Sequence, residues 1–276
     1  MGDVVRISES EIMDSIERFP IRRVTAEVTE DAEDVVTKEL PLTIILNDQE
    51  LVTLLCSPTN LNYLAIGFLS SEGLLSHKDK LKKVTVDDRV GVVRVEIEED
   101  KGSASELLFK RIITSGCGRG ASFYSAADAQ GQVKRVESQL SITAPEVFAR
   151  IKEFQHRSQI YRATGGVHSA ALCDTNNILV FSEDIGRHNA IDKIFGECIL
   201  RDIPMDDRMV ITSGRISSEI LLKVAKANIP AIISRSAPTN LGVRLAEDLG
   251  VTLIGFVRGQ RMNVYANGWR VASDGR

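Results

Sequence analysis

The sequence predicts an α/β protein: a mostly parallel sheet covered by helices in the second half of the chain, preceded by a smaller β-rich module with one helix. Three observations carry this. From His168 onward, short apolar strand segments alternate with helical segments of about a dozen residues, a rhythm that implies crossover connections. Between residues 20 and 113, apolar and β-branched runs come in pairs around turn signals, as hairpins do. The 276 residues, 43% hydrophobic and 26% charged, are those of an ordinary globular chain with room for an ample core.

The elements follow in order. Residues 1–20 are polar and mixed and read as a mobile N-terminus. Arg22–Val36 alternates short β-branched runs with acids, which predicts edge strands. Leu42–Leu46 and Glu50–Cys56, split by Asn47-Asp48, form a hairpin. Ser57-Pro58-Thr59-Asn60 starts a helix with Leu61, Leu64, Ala65, Phe68 and Leu69 on one face and Gly73 as its stop. Lys83–Asp87 and Val90–Glu98 make a second hairpin around Asp88-Arg89. This module spans 21–135. In the second domain, 136–276, Ser141-Ile142-Thr143-Ala144-Pro145 opens a helix with Val147, Phe148, Ile151 and Phe154 as its stripe. Strands His168–Cys173 and Ile178–Ser182 lead to helix Asn189–Leu200. Strand Met209–Thr212, helix Ser217–Ala227, strand Ala231–Ser234, helix Asn240–Leu249 and strand Val251–Phe256 complete the pattern.

The net charge of −4 conceals an asymmetry: from Arg208 to Arg276 there are ten Lys/Arg against four Asp/Glu, so this part carries +6 and the remainder −10. A basic third suits an anionic small molecule better than a nucleic acid, which needs a denser positive patch. No apolar run approaches the roughly 20 residues of a membrane span. Asp3, Glu9 and Glu11 stand where a secretory signal needs an apolar core. Cys56, Cys117, Cys173 and Cys198 show no paired spacing. The reading is a cytoplasmic protein with reduced thiols and neither a nucleic-acid nor a membrane partner.

Six stretches carry candidate chemistry. In Ile112–Gly120, three glycines surround Cys117, with Lys110, Arg111 and Arg119 nearby. Cations and free backbone N–H groups lower a thiol pKa, but a tight turn holding an inert cysteine fits the same residues. Thr164-Gly165-Gly166-Val167-His168 fits either a ligand-approaching backbone or a turn before a core histidine. The run Glu183–Lys193 packs many hydrogen-bonding side chains at a strand-to-helix turn, where open α/β sheets bind ligands and helix N-termini favour anions. Thr212-Ser213-Gly214-Arg215 and Ser234-Arg235-Ser236 repeat that arrangement, so Arg187, His188, Ser213 and Arg215 would line one sheet edge. Gly255–Tyr265 adds Arg258, Arg261 and aromatic residues, which suit phosphate and a purine ring, as well as an ordinary basic surface loop.

Taken together, the Cys117 loop, Gly-Gly-Val-His at 165–168, the run from Glu183 to Lys193, Thr-Ser-Gly-Arg at 212–215 and the stretch from Gly255 to Tyr265 resemble the FdhD family, the formate dehydrogenase accessory sulfurtransferases. The resemblance covers nearly the whole chain. It implies a C-terminal, three-layer, cytidine-deaminase-like domain and a homodimer. It implies that Cys117 takes persulfide sulfur from a cysteine desulfurase and passes it to molybdenum bis(molybdopterin guanine dinucleotide), the cofactor of a client formate dehydrogenase. It also implies cofactor binding through Phe256, Val257, Arg258, Gly259, Gln260 and Arg261. The family's loop reads Cys-x-x-Cys, and here the second position is Gly120. The alternative is a cofactor-binding chaperone that transfers no sulfur. Zinc deamination needs His-x-Glu and Pro-Cys-x-x-Cys. His168 is followed by Ser169-Ala170 and no Cys-x-x-Cys occurs, so no zinc is expected.

Overall fold

The computed structural model describes residues 9–75, 77–98 and 133–272; the Cys117 loop lies outside the described residues. The polar N-terminus is more regular than its composition predicts. Helix α1 (Glu9–Ser15) runs into an antiparallel ribbon, β1 (Ile16–Val24) with β2 (Thr29–Thr37). Next come β3 (Leu40–Leu46) and β4 (Gln49–Cys56), joined through Asn47 and Asp48, both at positive φ. Such a two-residue turn matches strand twist, and Asn and Asp tolerate its left-handed backbone. Helix α2 (Leu61–Ser71) leads to β5 (Leu81–Asp87) and β6 (Val92–Ile97), giving a four-stranded sheet of order β4-β3-β6-β5. Alternation puts Leu42, Ile44, Val52, Leu54, Val93 and Val95 on one face, where they pack with the α2 stripe Leu61, Leu64, Ala65, Phe68 and Leu69.

The second domain follows as β7 (Ile142–Thr143), α3 (Ala144–Arg157), α4 (Gln159–Thr164), β8 (His168–Cys173), β9 (Ile178–Asp184), α5 (Arg187–Leu200), β10 (Met209–Thr212), α6 (Ser218–Lys226), β11 (Ala231–Ser234), α7 (Asn240–Leu249), β12 (Thr252–Arg258), β13 (Arg261–Ala266) and β14 (Val271–Ala272). Its helix starts follow from sequence. Thr143 and Glu146 form a reciprocal capping box with a proline beside them, and Ser217 and Thr239 accept N–H groups at the heads of α6 and α7. The six-stranded sheet runs β13-β12-β11-β10-β8-β9. Helices α5, α6 and α7 cover one face through Ile191, Ile194, Leu221, Val224 and Leu245. Helix α3 covers the other through Val147, Ile151 and Phe154. The result is three layers.

The sheet is mixed rather than mostly parallel. Only the neighbouring pairs β10–β11 and β11–β12 are parallel, while β8–β9, β8–β10 and β12–β13 are antiparallel, so β8 and β13 run against the other four strands. The linker from Cys173 to Ile178 and the turn at Gly259-Gln260 are too short to reverse the chain twice, whereas α6 and α7 supply full crossovers. The basic stretch read as the end of a strand plus a loop is thus a hairpin, with Arg258 directly opposite Arg261 and Gly259 at φ +58.

The two units meet backbone to backbone where α2 crosses α5. A Cβ on Gly67 would stand 1.7 Å from the Asp192 carbonyl oxygen, and one on Gly196 would stand 1.9 Å from that of Tyr63. No side chain fits at either position. At the far end of the chain Arg270, 1% exposed, donates to the carbonyls of Ser138 and Gly250 and to the Thr252 hydroxyl. It ties the last strand to the domain's first residues.

Candidate functional site

The three parallel strands end at the same edge of the sheet. Ser213 follows β10, Arg235 and Ser236 follow β11, and Arg258 ends β12; the start of antiparallel β8, His168, reaches the same edge. Together with Phe154, Gln155 and Ser158 at the end of α3 and Tyr161 and Arg162 on α4, they line a cleft of about 680 Å³. It lies outside the carboxyl ends of the strands, the position at which open α/β sheets take their ligands.

One wall of the cleft, α4, is held by a buried carboxylate. Glu183 on β9 accepts from the backbone N–H groups of Ile160 and Tyr161, both at 3.0 Å, and from the Ser169 hydroxyl at 3.2 Å. Burial pushes its pKa up despite these bonds. Ser169 and Ser158 pair at 2.9 Å beneath it. Gly165 then ends α4 in the left-handed conformation at φ +66, and Gly166 packs against Thr37 of the ribbon.

His168 is half-buried, with Nδ1 3.4 Å from the Ser213 hydroxyl. Burial, then the Arg187 and Arg215 guanidiniums, hold its pKa below the usual imidazole value, with Asp184 opposing. His188 lies deeper. Burial, with help from Lys223, Arg187 and His168, depresses it to about 3. Glu219 Oε2 stands 3.5 Å from its Nε2, yet desolvation prevails, and the contact is a neutral imidazole beside a carboxylate rather than an ion pair.

The structure distributes the sequence-predicted residues unequally. Ser213 and Arg258 line the cleft. Arg187 and Arg215 are not among the lining residues and act on His168 through their charge, and the His188 side chain, also outside the lining, is 12% exposed. Phe256 stands 37% exposed at a bulge, with φ 53. Val257 is fully buried in the core that faces α3, so its side chain is part of the packing. Gly259 and Gln260 form the hairpin turn, and exposed Arg261 is not among the lining residues. Cys117 lies outside the described residues. Sequence reasoning singled out neither Tyr161 and Arg162, because a six-residue helix shows no period, nor Gln155, which lies off the apolar stripe of α3. Arg235 was legible as the middle of a Ser-Arg-Ser turn. With the Gln155 amide turned so that its oxygen faces Arg235, that oxygen accepts from both terminal guanidinium nitrogens, at 3.0 and 3.2 Å, which fixes Arg235 against another lining residue.

Most of the polar run Glu183–Lys193 serves the joint between the two units. Lys193 Nζ meets Asp184 Oδ2 at 2.7 Å with neither side chain exposed, and it donates to the Ser57 carbonyl at 3.2 Å. Asp184 also accepts from the N–H groups of Ser57 and Gly186. Asn189 bridges Asp184 and the Leu55 carbonyl. One turn on, Asp192 accepts from Lys223 and from the Ser71 hydroxyl. The density of hydrogen-bonding residues was legible in the sequence; their partners in the first unit, Leu55, Ser57 and Ser71, more than 100 residues away, were not. Three of the ten cations of the C-terminal third are likewise structural: Lys223 in this network, Lys226 on the Ser71 carbonyl, and Arg270.

Cys56, Cys173 and Cys198 are buried. Desolvation pushes the thiols of Cys56 and Cys198 up to about 12, and raises that of Cys173 as well. None is poised to react. No helix among the described residues is long and apolar enough to cross a membrane.

Comparison with known proteins completes the picture. Residues 37–272 match the model of the FdhD/NarQ family. The chain is 44% identical over 238 residues to the sulfur carrier protein FdhD of Bacillus pumilus, an alignment spanning 86% of this chain and 90% of the relative. It is 46% identical over 233 residues to that of Staphylococcus aureus strain MRSA252, spanning 84% and 88%. A crystal structure from Desulfotalea psychrophila, described as a formate dehydrogenase accessory protein, superposes with a TM-score of 0.77 at 26% identity. It covers 93% of this chain and 99% of its own.

Proposed function

The chain belongs to the FdhD/NarQ family, and on that premise we propose that it is a sulfur carrier in formate dehydrogenase maturation. It takes persulfide sulfur from a cysteine desulfurase on Cys117. It passes that sulfur to a molybdenum bis(molybdopterin guanine dinucleotide) substrate whose anionic groups rest in the cleft. A cytoplasmic homodimer belongs to the same reading.

The observation that carries it is the contrast among the cysteines. A carrier needs an accessible thiolate, and Cys56, Cys173 and Cys198 are buried with raised pKa values; Cys117, among glycines and arginines, is the remaining thiol. In the loading step, the Cys117 thiolate attacks the outer sulfur of the donor persulfide. The donor's S–S bond breaks, its cysteine leaves as a thiolate, and a new S–S bond forms on Cys117. The cargo's molybdenum is the sulfur acceptor. For the cargo's phosphates, Arg235 and Arg258 supply forked donors, and the hydroxyl of Ser236 supplies a short one.

The test is mass spectrometry after incubation with a cysteine desulfurase and cysteine. One added sulfur on Cys117, absent from Cys117→Ala, is expected; sulfur on Cys56, Cys173 or Cys198 instead would remove Cys117 from the mechanism. Gly120, in place of a second loop cysteine, favours one rival, a chaperone that binds the cofactor and transfers no sulfur. That rival predicts guanine nucleotide binding with no sulfur on any cysteine.

A further inference from the structure

The hydroxyl of Ser213 occupies an unusual place among the cleft's polar groups. Its oxygen accepts the Ser169 backbone N–H at 3.0 Å, and the Ser213 N–H in turn donates to the Ser169 carbonyl at 3.0 Å. The side chain is therefore pinned on the β8–β10 ladder. Its second contact is with His168 Nδ1, 3.4 Å away; the oxygen already accepts one N–H, and the hydroxyl proton is free to go to the ring. A ring nitrogen that accepts carries no proton, so a neutral imidazole in this bond keeps its hydrogen on Nε2. The ring stays neutral because burial and the charges of Arg187 and Arg215 disfavour a second proton. The nitrogen on the other side of the ring from Ser213 is Nε2, and His168 is part of the cleft wall.

We infer that Ser213 is a positioning residue that holds His168 in the Nε2–H form, so that the cleft presents one neutral, directed N–H donor between its arginines to an anionic acceptor atom of the ligand. The inference rests on the ligand reading above for the identity of the acceptor, and on the Ser169–Ser213–His168 geometry for the donor. The arginines supply charge without a preferred proton position. The imidazole adds direction and favours an acceptor at one point of the cleft.

Two measurements test it on the whole chain. Long-range nitrogen–proton correlation spectra report which ring nitrogen carries hydrogen. The wild type at neutral pH is expected to show His168 with protonated Nε2, and Ser213→Ala a shift toward a mixture of tautomers. A mere packing role for Ser213 would leave that signature unmoved. A wild-type ring protonated on Nδ1, or a spectrum unchanged in Ser213→Ala, overturns the inference. Calorimetry with guanosine diphosphate reads the donor itself. His168→Leu is expected to bind about tenfold more weakly, and His168→Gln, whose amide nitrogen can reach the Nε2 position, within about threefold of wild type. Equal binding in His168→Leu and wild type overturns the donor role. Failure of wild type to bind the nucleotide at all counts against the ligand reading alone, and the ring assignment, made without ligand, still decides the inference.

Discussion

Lys193 and Asp184 form an ion pair at 2.7 Å with neither side chain exposed to solvent, and both also bond to Ser57, 127 and 136 residues away in sequence. Two charges taken out of water are tolerated only when their remaining donors and acceptors are met, and here they are. Removing one partner strands the other. Lys193→Met is therefore expected to cost about 3–5 kcal/mol, read as a fall in the urea midpoint. A loss below about 1 kcal/mol would mean that the joint is not holding the two units together.

His188 sets an acid limb of stability. Its folded pKa, about 3, lies below the ordinary 6.5, so between those values the unfolded chain binds more protons than the folded one. The stabilisation is complete above pH 6.5 and is lost as pH falls toward 3. Glu72 and Glu183, whose pKa values are raised by burial, act in the opposite direction, so the comparison has to be a difference. Between pH 7 and pH 4.5, His188→Gln is expected to lose less stability than wild type, by on the order of 2 kcal/mol. Parallel pH profiles for the two proteins would contradict this.

The basic hairpin divides by position. Arg258 lines the cleft, while Arg261, its cross-strand partner, does not. Loss of one charge-assisted phosphate contact costs about 1.5–3 kcal/mol, or roughly 10- to 150-fold in affinity. Arg258→Ala and Arg235→Ala are expected to weaken guanosine diphosphate by that order, Arg261→Ala by less than about threefold, and none to alter sulfur loading on Cys117. Calorimetry showing Arg261 to matter more than Arg258 would move the ligand to the outer face of the hairpin.

Gly120 makes release of sulfur dependent on an external reductant. Freeing a persulfide's outer sulfur as sulfide takes two electrons, which a neighbouring thiol supplies by becoming half of a disulfide. This chain has no cysteine at position 120. Loaded protein is expected to hold its sulfur until a low-molecular-weight thiol is added, and Gly120→Cys to release it unaided with a disulfide to Cys117. Methylene blue detection of sulfide from the loaded wild type without added thiol would refute this.

The legible parts of this protein were local. Alternation in Leu42–Leu46, the Asn47-Asp48 turn and the helix start within Ser141–Pro145 each lie within a few residues, and each appears where the sequence placed it. Strand direction was less legible, because β8 and β9 differ from a crossover pair only in the length of one linker. In the cleft, Ser213 and Arg258 were readable from their turns. Arg162 and Gln155 were not, because what places them is the docking of α4 on Glu183 and the turned Gln155 amide, neither of which leaves a period or a motif. The run Glu183–Lys193 shows the converse: its composition is that of a binding site, and its partners make most of it a joint.

The meeting of Gly67 and Gly196 also bears on the order in which the chain is made. Synthesis proceeds at ~5–20 residues per second, so helix α2 leaves the ribosome some 6–25 seconds before Gly196 of its partner helix is available. Throughout that interval the face of α2 that will touch α5 has no counterpart, and the bonds to Ser57 and Ser71 cannot form. The N-terminal unit emerges first, yet the surface it turns toward α5 stays uncovered until the second unit is under way.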